Sequence, residues 1–114
     1  MPVSAIDLVA NAKQSIKEIN VTEVRQALSS HLILDVREPA EFAAGQIPNA
    51  VNIPRGVLEF QIGNHPDFTG QHAANIIVCC QSGGRSALAT ESLHKLGYTN
   101  AVSLAGGYKA WSES

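Results

Sequence analysis

A thiol stands at the junction of two contrasting stretches of chain, in Cys80-Gln81-Ser82-Gly83-Gly84-Arg85-Ser86. Before it runs an apolar segment, Ile76-Ile77-Val78-Cys79, and after it comes a segment with helical spacing. A cysteine so placed sits where a strand ends and a helix begins. Backbone N–H groups converge at such junctions and stabilise negative charge. An ordinary thiol of pKa ~8.5 is only about 3% ionised at pH 7. Lowering the pKa by about two units raises the ionised share to roughly three quarters and requires about 2.7 kcal/mol. A helix terminus supplies about 1 kcal/mol of that. The amides of residues 81–86 and the charge of Arg85 are expected to supply the rest. Gly83 and Gly84 let the backbone curl around a small ligand, and Arg85 brings a permanent cation with several donors. The segment reads as a nucleophilic thiol in a small anion cradle.

Periodicity indicates the elements that must position this loop. Ala5, Leu8, Val9, Ala12, Ile16 and Ile19 line one helical face. Residues 1–19 therefore read as an amphipathic helix packed on a domain spanning 20–114. Thr22 is an N-cap candidate for a short helix through Leu28. Leu32 to Val36 reads as a buried parallel strand. Pro39 to Ala44 reads as a helix ended by Gly45. Ala50 to Ile53 is a short strand, and Gly56 to Ile62 a brief helix. Gly63 to Asn75 is a surface loop, and Asn75 to Cys79 the most strand-like run. Ser86 to Leu96 is a helix stopped by Gly97, and Ala101 to Leu104 a last strand. Gly106-Gly107 leads into a helix holding Tyr108 and Trp111. Short apolar strands alternating with helices indicate an α/β fold with a mainly parallel sheet. Ligands of such sheets bind beyond the carboxyl ends of the strands, where both Cys80 and Asp35 fall.

Composition narrows the function classes. The 114 residues suit one domain, and 45% hydrophobic residues in periodic blocks suit a packed core. A net charge of −2 is too weak to argue for nucleic-acid or membrane-surface binding by bulk charge, and neither partner is expected. No stretch approaches a membrane span, and the start, Met1 to Asp7, lacks the apolar core of a signal peptide. The expected compartment is the cytoplasm. Cys79 and Cys80 are adjacent and bridge only through a strained ring. The four histidines are scattered without ligand spacing, so no metal and no cofactor are expected.

Four blocks in order carry a family resemblance: Leu34 to Phe42, Gly45 to Pro54, Cys80 to Ser86, and Leu104 to Trp111. From about Asn20 to Trp111 the chain resembles a single-domain rhodanese, a thiosulfate sulfurtransferase. The resemblance implies a three-layer rhodanese-like fold with about five mainly parallel strands and helices on both faces. It implies that Cys80 accepts a sulfane sulfur and becomes a persulfide. The partners implied are a small-molecule sulfur donor, a thiol or cyanide acceptor, and a protein as a further possible acceptor. Four residues separate Cys80 from Arg85, the six-membered loop of sulfurtransferases. Five separate Cys79 from Arg85, the spacing of cysteine-dependent phosphatases. Successive strand residues face opposite ways, and Cys79 continues an apolar run, so Cys80 is the expected nucleophile.

The remaining residues carry weaker expectations. Gln81 is placed at the pocket mouth, and Ser82 as a donor to the sulfur or to departing sulfite. Ser86 is either a donor in the site or a cap of the following helix. Arg85 either attracts substrate or bonds loop carbonyls as a scaffold. Gly83 and Gly84 complete the substrate loop. Asp35 and Arg37 are read as structural support, an ion pair or cap near the site. Glu41 is assigned to loop packing, Arg55, Glu59 and His94 to exposed faces, and Tyr108 and Trp111 to packing. Two rivals to the enzyme are a persulfide-carrying or sulfide-sensing module with little turnover, and a phosphatase acting through Cys79.

Overall fold

Ile76, Ile77, Val78 and Cys79 are all buried, the pattern of a strand covered on both faces. They form the central strand of a five-stranded parallel sheet. The computed structural model describes residues 2–114. In chain order the strands are β1 (Glu18–Ile19), β2 (Leu32–Asp35), β3 (Val51–Asn52), β4 (Ile76–Cys79) and β5 (Ala101–Leu104). Their spatial order is β1-β5-β4-β2-β3. The helices are α1 (Ala5–Ser15), α2 (Val21–Ala27), α3 (Pro39–Ala44), α4 (Leu58–Gln61), α5 (Gly84–Lys95) and α6 (Gly107–Ser112). This is the expected α/β architecture.

Alternation along the strands sorts the core into two layers. Leu34, Val78 and Cys80 join Leu58, Ala89 and Leu93 on the face covered by α4 and α5. Ile33, Ile77 and Cys79 join Val24 and Leu104 on the other, with Tyr108 and Trp111 packed against them. The chain leaves β4 through α5 toward β5, and leaves β2 through α3 toward β3. The adjacent strands β2 and β4 thus send their connections in opposite directions, which opens a crevice at their carboxyl ends.

Several boundaries differ from the sequence reading by a residue or two, and three differ for a clear reason. The N-terminal helix stops at Ser15 rather than continuing to Ile19. The Lys17 and Ile19 carbonyls accept from the Ser103 and Ala105 N–H groups, so sheet pairing overrides the helical periodicity. The second helix is capped by Asn20, not Thr22. The Asn20 side chain accepts from the Glu23 N–H, and the Glu23 carboxylate accepts from the Asn20 N–H. Helix α5 begins two residues early, at Gly84, because Gly83 adopts a left-handed φ of 107° and turns the chain there. The stripe on α1 is also covered only in part. Ala12 is buried while Ala5 and Leu8 are exposed. His94, expected on the surface, is half-buried, with Nε2 2.8 Å from the Ala101 carbonyl oxygen.

Among the described residues no helix is long and apolar enough to cross a membrane. The Asn20 box satisfies two helix-end groups at once. Asn20→Ala is expected to cost about 1 kcal/mol, measured by urea denaturation; an unchanged midpoint would remove the cap from this account.

Candidate active site

Strand β4 ends by delivering Cys80 to the crevice, where 1% of the residue is exposed. Its Sγ accepts a hydrogen bond from the Gly83 N–H at 3.1 Å and lies 3.5 Å from the Ser86 hydroxyl. Among the amides of residues 81–86, Gly83 alone has its N–H within bonding distance of Sγ. The expected ring of converging amides is therefore one amide and one hydroxyl. The reason is the early start of α5. The N–H groups of Gly84, Arg85 and Ser86 belong to its first turn, have no partner within the helix, and are directed along its axis. Ser86 is the third residue of α5 and not its cap. Its hydroxyl is 2.8 Å from the hydroxyl of Ser103, and both residues are fully buried.

Helix α6 shapes the loop from the far side. The Tyr108 N–H donates to the Cys80 carbonyl at 2.7 Å, and the Lys109 N–H donates to the Gln81 carbonyl at 3.1 Å. Such close approach requires glycine at 107. A Cβ there would lie 2.5 Å from the Cys80 oxygen and 2.6 Å from the Gln81 carbonyl carbon, at a φ of +62°. Strand β5 sets this position, because α6 follows it after only two residues.

Both arginines near the loop are held by carboxylates. Arg85 makes a two-pronged bond to Glu41 at 2.7 and 3.0 Å, so it grips α3 rather than loop carbonyls. The Arg85 bond, followed by the Glu38 N–H, holds the Glu41 carboxyl down from 4.5 to about 2. Arg37 is buried against Asp35, with Nη2 to Oδ2 at 2.8 Å and Nε to Oδ1 at 3.0 Å. Its Nη2 also donates to the Gly45 carbonyl at 2.7 Å, and its guanidinium stacks 4.4 Å over the Tyr108 ring. Gln81 is half-buried, and its Oε1 accepts from Arg37 Nη1 at 3.4 Å. Ser82 is exposed and does not reach Sγ.

Cys79 has the opposite environment. It faces the other core layer. Burial first, then the nearby charge of Asp35, pushes its thiol up and out of the nucleophilic range.

The site's class follows from its relatives. The rhodanese-like domain model matches residues 20–114, and the chain belongs to that family. It is 42% identical over 96 residues to a chloroplastic thiosulfate sulfurtransferase of Arabidopsis thaliana, covering 76% of this chain and 78% of that protein. It is 36% identical over 106 residues to a human thiosulfate:glutathione sulfurtransferase, covering 83% and 92%. These relatives support assignment as a rhodanese-type sulfurtransferase. A human single-domain sulfurtransferase structure superposes with a TM-score of 0.74 at 34% identity, over 85% of this chain and 96% of that one. A Rhodopseudomonas palustris structure, described as of unknown function and a possible tyrosine phosphatase, reaches a TM-score of 0.85 at 28% identity. It covers 99% of this chain and 95% of its own.

Sequence reasoning missed Ser103 and the steric role of Gly107. The available signals were a lone hydroxyl inside the apolar run Ala101 to Leu104 and a glycine pair right after it.

Gly107→Ala is expected to cost more than about 2 kcal/mol, since backbone on both sides prevents relief, and to displace the loop; urea denaturation with alkylation of Cys80 reads both effects. Glu41 is depressed in the folded state, so its stabilisation is complete above its unfolded value and fades as pH falls from about 4.5 toward about 2. Glu41→Gln should flatten the stability–pH curve in that window, and an unchanged slope would show that the pair does not bear on folding.

Proposed function

We propose that this chain is a sulfurtransferase that carries a sulfane sulfur on Cys80. The Cys80 sulfur attacks the outer sulfur of thiosulfate or a similar donor. A new S–S bond forms to Cys80, the donor's S–S bond breaks, and sulfite leaves with the electron pair. Cyanide or a thiol then attacks the outer sulfur of the persulfide, and the Cys80 thiolate is the leaving group. This is covalent catalysis in two half-reactions, for which ping-pong kinetics are expected. One observation carries the reading: Sγ lies under the Gly83 N–H at the carboxyl end of the central strand, with the unpaired first-turn amides of α5 at the same end.

The two arginines hold the pocket in this reading. Arg85 fixes the loop through Glu41, Arg37 and Asp35 brace it from β2, Gln81, Ser82, Gly83 and Gly84 line the approach, and Ser86 contacts the sulfur from the buried side. The helix α1 lies outside the catalytic unit and covers one side of α5. Two observations argue against phosphate chemistry through Cys79: its burial in the opposite layer and its raised thiol.

The test is exposure to thiosulfate followed by mass spectrometry of the peptide holding residues 79 and 80. A gain of one sulfur atom on Cys80, released as thiocyanate by cyanide, is the expected result. Cys80→Ser should reduce turnover to background, whereas Cys79→Ser should retain it within a few-fold. Retained turnover in Cys80→Ser, or hydrolysis of an aryl phosphate that Cys79→Ser removes, would overturn the proposal.

A further inference from the structure

We infer that Ser103 is a positioning residue, whose hydroxyl holds the Ser86 hydroxyl on the sulfur of Cys80. The inference rests on the reading of Cys80 as the sulfur-carrying thiol. Ser103 lies on β5, paired in register with Val78 of β4. Parallel register partners point to the same face, so its side chain enters the layer between the sheet and α5. That layer is otherwise built of Leu34, Val78, Ala89 and Leu93. A hydroxyl there is costly unless it is bonded. Among the described residues its one side-chain partner is Ser86, at 2.8 Å. Ser86 in turn is 3.5 Å from Cys80 Sγ. The three groups form a short chain running from the centre of β5 to the nucleophile.

A hydroxyl both donates and accepts, which lets this chain run in either direction. With the thiol protonated, the S–H donates to Ser86 and Ser86 donates to Ser103. With the sulfur ionised, Ser103 donates to Ser86 and Ser86 donates to the sulfur. No proton crosses between residues; only hydroxyl orientations reverse. Bonds in such a series polarise one another. Without Ser103 no group on β5 fixes which way the Ser86 hydroxyl turns.

The charged and titratable groups surrounding Cys80 are Arg85 on α5 with Glu41 on α3, Asp35 at the end of β2 and Arg37 just after it, Tyr108 and Lys109 on α6, and Cys79 on β4. None of them is bonded to the Ser103 hydroxyl, so its removal leaves those charges in place.

The experiment follows the rate of Cys80 alkylation by iodoacetamide against pH, with fragment mass spectra separating residues 79 and 80. Ser103→Ala is expected to move the midpoint upward by about 0.5–1 pH unit. In a Ser86→Ala background the same change should move it by less than about 0.2 unit, because the two hydroxyls act as one unit. An unchanged midpoint in Ser103→Ala, or an equal shift in both backgrounds, would overturn the inference. If Ser103→Ala does not fold, Ser103→Thr, which keeps the hydroxyl, should hold the wild-type midpoint within about 0.2 unit, and a larger shift there would overturn the inference. Alkylation needs no sulfur donor, so the result is readable even if thiosulfate leaves no sulfur on Cys80.

Discussion

Two carbonyl groups decide which way the Cys80 loop faces. The oxygens of Cys80 and Gln81 are held by the first-turn amides of α6 at 2.7 and 3.1 Å. In a trans peptide the C=O and the next N–H point in opposite directions. Pinning those oxygens against α6 therefore turns the amides of residues 81 and 82 away from it. The turn through Gln81 and Ser82 brings the Gly83 N–H to the sulfur, and the left-handed φ of Gly83 then sends the chain into α5. The three inner strands contribute to this arrangement. β4 sets the height of Cys80, β5 brings α6 within reach, and β2 brings Arg37 alongside. The glycine at 107 is the point where all of this leaves no room for a side chain.

The charges around the loop do different work in wet and dry settings. The Asp35–Arg37 pair is buried, and desolvation largely cancels the attraction within such a pair. Its value lies in geometry, because one guanidinium spans Asp35, the Gly45 carbonyl, Gln81 and the Tyr108 ring. The Glu41–Arg85 pair is half-exposed, and exposed pairs contribute little to stability. It ties α5 to α3 across the mouth of the crevice. With both guanidinium groups occupied, the direct contacts to the sulfur are neutral dipoles, the Gly83 amide and the Ser86 hydroxyl.

The sequence made the major elements legible, and the misses have physical causes. Runs such as Ile76 to Cys79 and Ala101 to Leu104 were long and apolar enough to read as strands, and their alternation separated Cys79 from Cys80. Strand β1 was invisible because two residues, Glu18 and Ile19, cannot display a period. The start of α5 was misplaced because glycine is a poor helix former, yet Gly84 is the first residue of that helix. The loop cysteine could be read from its flanks. The Glu41–Arg85 and Ser86–Ser103 contacts join residues far apart in the chain, and neither leaves a local pattern. A serine in an apolar strand looks like a small filler until its neighbour across the layer is known.

Cys79 and Cys80 project from opposite faces of one strand end, although they are consecutive. The usual self-protection of an oxidised or sulfur-loaded cysteine is attack by a neighbouring thiol, which releases the cargo and closes a disulfide. Here the nearest thiol is turned into the other layer and held protonated. In the proposed sulfur-loaded form, Cys79 is thus turned away from the cargo, and discharge would fall to an external nucleophile.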